Sequence, residues 1–379
     1  MKDTVVARVR LIDRPIAALA PLLLALACTD PTSTAAGLTR MDLFGAAVAS
    51  EDAGVASFTP TDLHLTGPGM PANSEAFNIN TAGRSAGVSY DRGPGNDGQA
   101  TIFNAPSVGG GQIIGVPAGA TSAVAYAIND NGEVAGTAWG FFPGPEPRGW
   151  RWTSAGGFQM IVGPPGTRSV TVTDINNAGQ VVGTFVNDII VPAGSHAFVV
   201  DAAGVFSNIH PAGYDGSSAV AISSNGYITG FVDKSGVPTA GRWSPTGAFL
   251  DLKTIPGQFD SWGYDVNAGG FVVGQYGNPI PSIYPAFGYK PSGMFKLPGV
   301  IGMPLGLSNK NRAVGWVDNA GFQKGFTMRT TPTIVFLPTL PNTNSWRANG
   351  VNTCGDAVGS ALFNFITTHA MYWKNAPCD

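Results

Sequence analysis

Charge is scarce in this chain. Only 12% of its 379 residues are Asp, Glu, Lys or Arg, about half the share of an average soluble domain. Twenty-one basic against twenty-four acidic side chains give a net charge of −3, which excludes the basic footprint that nucleic acid requires. Three Cys and four His form no Cys-x-x-Cys or His-x-x-x-His spacing, so no zinc-type site is encoded. Regular Asp-x-Asp-x-Asp-Gly loops, a Gly-x-Ser-x-Gly elbow and a repeated Ser-x-Asp-x-Gly-x-x-Trp box are also missing. No cofactor, metal ligand or catalytic residue is assigned. The longest apolar run, Ile16 to Ala27, is interrupted by Pro21 and falls short of the roughly 20 residues that span a bilayer. What abounds is glycine, at 52 residues, in a chain that is 44% hydrophobic. Such a composition builds a core but argues against helical bundles and disorder.

The N-terminus carries an address. Lys2, Arg8, Arg10 and Arg14 precede the apolar run, the layout of a secretory signal over residues 1–27. Leu24-Ala25-Leu26-Ala27-Cys28 resembles a bacterial lipobox, with Ala25 where Leu is usual, and implies lipidation of Cys28. Ordinary cleavage after Ala27 is the alternative. Removing residues 1–27 leaves seventeen basic and twenty-two acidic side chains, a charge of −5. Residues 28–55 read as a flexible tether of small polar residues, with one short helix at Met41–Ala49. The folded body is 56–379.

Within the body one motif recurs seven times. It runs aliphatic residue, Asn or Ser, two variable residues, Gly, three residues that are often small or β-branched, then Gly. The copies place Asn80 with Gly83, Asn129 with Gly132, Asn176 with Gly179, Ser223 with Gly226, Asn267 with Gly270, Ser308 with Asn311, and Asn352 with Gly355. Spacings between the Asn/Ser positions are 49, 47, 47, 44, 41 and 44. The Asn or Ser side chain can bond backbone two residues on and start a tight turn. Glycine three residues later supplies a positive φ, and Asn311 is among the residues that best tolerate that conformation. The second Gly marks a strand position where another backbone passes closely. Asn129-Asp130-Asn131-Gly132-Glu133 comes nearest to a calcium loop, but its equivalents mostly lack the acids, so the turn reading is preferred.

An aromatic strand follows each motif, as in Trp150–Trp152 and Ala370–Trp373, and most units add a fourth strand, as in Phe249–Leu252. Four short strands every 41–49 residues signal the blade of a β-propeller. The seventh aromatic strand nearly ends the chain, whereas Phe58–Leu65 precedes the first motif and shares Thr-Pro-Thr with the start of a fourth strand at 331–333. A seven-bladed all-β propeller follows, its N-terminal strand completing the last blade and closing the ring, which hides sheet edges. The Ile-Asn-x-x-Gly-x-Val-Val-Gly-like core, with His196-Ala197-Phe198 and the partial His369-Ala370-Met371, resembles the bacterial extracellular repeats of the HAF family over residues 57–375. That resemblance implies an exported propeller and transfers no catalytic residue.

Few side chains suggest chemistry. Cys354 in a turn of the last blade and Cys378 after its third strand fall at one end of that blade, and export permits a disulfide between them. Asp174 and Asp265 precede the motif Asn by two and are placed near the axis, where Asn78, Ala127, Ala221, Gly306 and Gly350 are their equivalents; crowding accounts for most of that set. His196 and His369 are equivalent repeat positions on different sides of the ring, read as packing residues. The Asn/Gly turns are uniform, so their face is structural. The opposite face carries variable loops with Trp139, Phe142, Tyr214, Trp262 and Trp346, candidates for stacking on an extracellular glycan or peptide; several of these could instead plug gaps between blades. The expected function is a binding or scaffolding module held at the cell envelope through its N-terminal lipid, or secreted, without catalysis. The alternative is a propeller enzyme acting on polysaccharide as a lyase or glycoside hydrolase.

Overall fold

The computed structural model describes residues 57–378 except 92–97, 107–109, 142–143, 145, 190–193, 278–283, 320 and 330–332. The signal, Cys28, the tether with its short helix, and Phe142 lie outside the described residues. Every regular element among the described residues is a strand, and all pairings are antiparallel. Each module, numbered here by its motif copy, starts with the strand that leads into the motif turn: Asn73–Ile79, Ser122–Ile128, Thr167–Ile175, Gly216–Ile222 and Asp260–Val266 for the first five, Thr343–Val351 for the seventh.

Six hydrogen-bonded sheets result, five of four strands and one of seven, rather than a separate sheet for each module. The exception is Gly293–Leu307, which runs 15 residues unbroken. Its first part pairs with Pro285–Lys290 as the outer strand of module 5, and its second part pairs with Ala313–Asn319 as the first strand of module 6. The spacing of 41 residues here, the shortest in the series, leaves no room for the loop that parts the other modules.

In every first strand the register slips by one residue, three positions before the motif Asn/Ser. The bulged residues are Phe77, Tyr126, Thr173, Val220, Tyr264, Leu305 and Asn349. A bulge bends the strand and re-aims its groups. Here it brings a carbonyl down onto the second motif glycine. A Cβ on Gly183 would lie 2.0 Å from Thr171 O, and the seven such glycines, from Gly87 to Gly359, all meet a carbonyl at 1.9–2.0 Å. The aromatic strand packs over the same spot, with Trp150, Phe198 and Phe287 rings against Gly136, Gly183 and Gly274. The first glycine of the motif has φ between +72° and +83°, and Asn311 takes +59°.

Apolar burial sits between modules rather than within them. The cluster of Ala123, Trp150 and Trp152 with Ala86 and Ile102 joins modules 1 and 2. Similar clusters occupy the following junctions, and Leu63, Ala370 and Tyr372 pack with Ala76, Ile79 and Phe103 between modules 7 and 1. The first strands of successive modules touch, and that of module 7 touches that of module 1. At this last junction the chain ends meet. Ser57–Asp62 pairs with the final strand from Ala376 back to Met371. A buried ion pair joins Arg347 to Glu75, whose other oxygen accepts from Tyr90 Oη at 3.0 Å. The matching positions elsewhere, Val124, Thr171, Ser218, Trp262 and Met303, carry no charge. Cys354 and Cys378 form a disulfide with Cα atoms 4.5 Å apart.

Three outcomes follow. Gly183→Ala is expected to lower the stability of the mature chain by about 3 kcal/mol, since an added methyl must displace backbone, read as a fall in the urea midpoint. Exposed Gly236→Ala, with nothing within 4 Å of its Cβ, tests only left-handed strain and is expected to cost about 1 kcal/mol. Replacing both Cys354 and Cys378 by Ser is expected to cost about 3 kcal/mol through loop entropy.

Candidate functional site

The motif amide works in two directions. Its Oδ1 accepts the backbone N–H four residues on: Asn80 from Arg84, Asn129 from Glu133, Asn176 from Gln180, Asn267 from Phe271 and Asn352 from Asp356, at 2.9–3.2 Å. Its Nδ2 donates to the motif carbonyl of the next module, Asn80 to Asn129, Asn129 to Asn176, Asn176 to Ser223, Asn267 to Ser308 and Asn352 back to Asn80, again at 2.9–3.2 Å. Ser223 and Ser308 keep the first bond through their hydroxyls but have no N–H to send onward; beside Ser223, Asn225 donates to Ala268 O instead.

A second tier straps neighbouring turns together. Asp130 accepts from Thr81 N and Oγ1 and from Asn177 Nδ2 at 2.7–2.8 Å. Burial acts to raise its pKa, yet these bonds leave it below the usual 3.8, because each donor favours the charged form. The segment that comes nearest to a calcium loop is thus spent on an inter-module strap. Arg242 reaches the Gly270 carbonyl at 2.9 Å, and Arg151, its equivalent, reaches that of Gly179 at 3.4 Å. The polar groups of the turn face are largely committed to the protein itself.

Asp174 and Asp265 are half-buried on the first strands. Asp174 accepts Ile175 N–H on one oxygen and Ile222 N–H of the next module on the other, each at 2.8 Å. Asp265 does the same with Val266 and Leu307 at 2.7 and 2.6 Å. Burial raises Asp174 to about 7. Burial, then the charge of Asp174, raises Asp265 to about 8. Raised carboxyls often mark acid–base chemistry, but here both oxygens of each already cap amides that the bulge frees from the ladder. Asn78 does half of this job for Ile128, at 3.3 Å. Among the described residues no group of three or more His, Cys, Asp or Glu is placed to hold a metal ion. A narrow cleft between modules 5 and 6, lined by Phe271, Tyr289, Phe295, Leu307 and Met328 among others, contains no carboxylate or histidine.

All four histidines fall into two stacked pairs at matching places. His196 lies on His210 with centroids 4.1 Å apart and planes 9° apart; His369 lies on His64 at 4.3 Å and 13°. His210 Nδ1 bonds Ser217 Oγ at 2.8 Å, and His64 Nδ1 bonds Ser74 Oγ at 2.9 Å. Each of those serines accepts a backbone N–H from the preceding module, Ala197 or Ala370. One difference separates the sites: His369 Nδ1 meets the Asp62 carboxylate at 2.7 Å, whereas His196 faces the Asn208 amide at 3.4 Å. The pairing was legible in Asn208-Ile209-His210 against Asp62-Leu63-His64, a match the strand count placed in equivalent fourth strands but that sequence reasoning did not pursue.

The variable face distributes its aromatic residues unevenly. Trp139, Tyr214, Trp262 and Trp346 are half-buried. Tyr214 packs edge-on to Phe249 and donates to Asp251 at 2.9 Å. Trp262 leans on Tyr284, and Trp346 covers Gly325 beside the core between modules 6 and 7. Among the described residues the most exposed apolar side chains are others: Met70, Val162, Ile189, Phe259, Phe322, Phe365 and Ile366 on hairpins or loops of this face, against Val205 on a turn of the opposite face.

No protein-family model matches the sequence, and no curated protein matches it significantly. Solved structures resemble it in fold. A streptogramin B lyase structure is 10% identical, covering 84% of this chain and 98% of that one, with a TM-score of 0.52. The β-propeller domain of a trilobed protease from Pyrococcus furiosus, described as having an open velcro topology, is 10% identical over 80% and 97%, with a TM-score of 0.53. A prolyl endopeptidase structure is 12% identical, covering 80% of this chain but 47% of that one, with a TM-score of 0.54. At these identities the likeness concerns architecture: the chain has a β-propeller fold.

Asp174 and Asp265 on one hand, and His64 and His210 on the other, set opposite pH trends. Asp174 and Asp265 hold protons in the folded state that the unfolded chain releases near 3.8. Their contribution to stability is therefore complete below about pH 4 and is lost as pH rises through 7 to 8. Urea unfolding across pH 4–9 should show that loss, and Asp174→Asn with Asp265→Asn should flatten it while costing about 1 kcal/mol for each amide bond given up. His64 and His210 are held below the usual 6.5, chiefly by burial. What they contribute is present above pH 6.5 and fades on acidification below it. Replacing both with Gln should remove that acid limb.

Proposed function

We propose that the chain is an exported binding module, a seven-bladed propeller of HAF-type repeats closed by its N-terminal strand and anchored through lipid on Cys28, which holds an extracellular glycan or peptide on its variable face and performs no catalysis. The observation that carries this reading is the contrast between faces. One face spends its amides, carboxylates and guanidinium groups on neighbouring modules, while the other leaves apolar side chains in solvent. Exposed apolar groups that lie together mark contact surfaces, and on this face Phe322 and Phe365 are neighbours.

Seven blades are supported by the two-part role of Gly293–Leu307 and by the seven inter-module clusters. Closure is supported by the pairing of Ser57–Asp62 with the last strand and by the Asn352 to Asn80 bond. The chain enters the body at Ser57, opposite Ala376 and near the turn-face disulfide. The enzymatic alternative, a polysaccharide lyase or glycosidase, rests on Asp174 and Asp265; their full complement of backbone donors favours a structural duty over proton transfer.

The test is a glycan and peptide array probed with residues 28–379, repeated with Trp262→Ala and Trp346→Ala. Retention of a ligand without its turnover is the expected result. Cleavage of a polymer, abolished by Asp174→Asn or Asp265→Asn, would establish the enzymatic reading instead.

A further inference from the structure

The hairpin tip of module 7 departs from the tight hairpins of modules 4 and 6. Asn364 and Phe365 both have left-handed backbones, φ +51° and +57°, in a turn closed by Ile366 N–H to Phe363 O at 2.9 Å. In the tight hairpins of modules 4 and 6 the second central residue is Gly236 (φ +81°) and Gly321 (φ +88°). A Phe there is disfavoured because its Cβ crowds the carbonyl. The conformation is held by neighbours: Asn344 Oδ1 accepts Phe365 N–H at 2.8 Å, and Asn342 O accepts Asn364 N–H at 3.1 Å. Folding gains little in return, for Phe365 is 65% and Ile366 68% exposed. Strain that is retained by surrounding structure and secures no core contact points to function.

The ring has company. Phe322, on the neighbouring hairpin of module 6, is 44% exposed, and its centroid lies 6.1 Å from that of Phe365 at an interplanar angle of 59°. The surrounding polar side chains are neutral: Asn319, Gln323, Asn342, Asn344, Asn364 and Thr367. Asp318, among the described residues of these tips, has its carboxylate occupied by Gly321 N–H at 3.2 Å, and Lys324, two residues beyond Phe322, lies over the Phe336 ring at 5.9 Å. Two exposed aromatic rings within a fringe of uncharged amides offer CH–π contact together with neutral hydrogen bonding. That combination suits a polyhydroxylated chain without charge.

We propose that Phe365, with Phe322 and the surrounding amides, forms a contact site for an uncharged polysaccharide. The proposal rests on the variable face being the binding face, and it places that activity at residues outside the half-buried tryptophans.

Affinity electrophoresis of residues 28–379 through gels containing dextran, hydroxyethyl cellulose or glycol chitin, with alginate as the anionic control, tests it. Retardation by at least one neutral polymer and none by alginate is expected. Phe365→Gly and Phe322→Ala should each weaken the apparent affinity at least about tenfold, a loss of the size one stacked ring supplies. Because glycine fits φ +57°, Phe365→Gly should show a urea midpoint no lower than its parent, which separates lost binding from lost folding. Retardation that persists in both variants overturns the site and leaves the binding module standing. No retardation by any neutral polymer overturns the site too, and an empty glycan and peptide array beside it removes the broader reading. Capture by phosphatidylcholine vesicles that disappears in Phe365→Gly, without polymer binding, would reassign the tip to a lipid surface and overturn the proposal.

Discussion

A single carboxamide binds each module to itself and to the next. The motif Asn accepts on Oδ1 from its own turn and donates from Nδ2 to its neighbour's turn, so a local loop conformation and a long-range contact are satisfied by one side chain. The two groups must be polar on opposite sides at a fixed separation, which Asn supplies. Serine supplies only the first half, and where it stands, at 223 and 308, the onward bond is lost. The turn in turn fixes where the bulge falls, and the bulge turns a carbonyl onto the second glycine. Amide, bulge and glycine form one unit, and the inter-module cores pack on it.

The junction between modules 7 and 1 differs from the others because sequence continuity does not hold it. Elsewhere the chain runs directly from one module to the next; here residues almost three hundred positions apart must find each other. Specific polar chemistry concentrates there accordingly: a buried Arg347–Glu75 pair, the Asp62–His369 contact and the disulfide nearby. A buried ion pair is a weak source of net stability but penalises wrong partners severely. That suits a junction which must select one strand edge among several similar ones.

The two faces differ for the same reason. Short uniform turns leave each amide a partner one module away, so that face is consumed by its own architecture. On the other face the connections vary in length, and no periodic partner exists for what they carry. Phe365 illustrates the freedom and its cost: a side chain in solvent, on a backbone that glycine would occupy more easily.

The all-β class and the propeller architecture were readable from seven spaced copies of a nine-residue pattern, because hairpin turns depend on local residue types at fixed offsets. The second glycine was readable as a close backbone approach, since only that excuses glycine within a strand. Other features were not. The bulge leaves no residue signature, its position being held by Phe, Tyr, Thr, Val, Leu and Asn alike. The continuous strand Gly293–Leu307 hides in a spacing only a few residues short. The stacking of His64 on His369 joins side chains from the two ends of the chain, and the double capping by Asp174 and Asp265 depends on a neighbour's backbone more than forty residues away. Sequence by itself determined the repeating module, because its forces act within a few residues. Which edges meet, which carboxyls cap a neighbour's backbone and which rings stay in solvent were decided only when the modules packed, since burial and register between distant segments exist nowhere but in three dimensions.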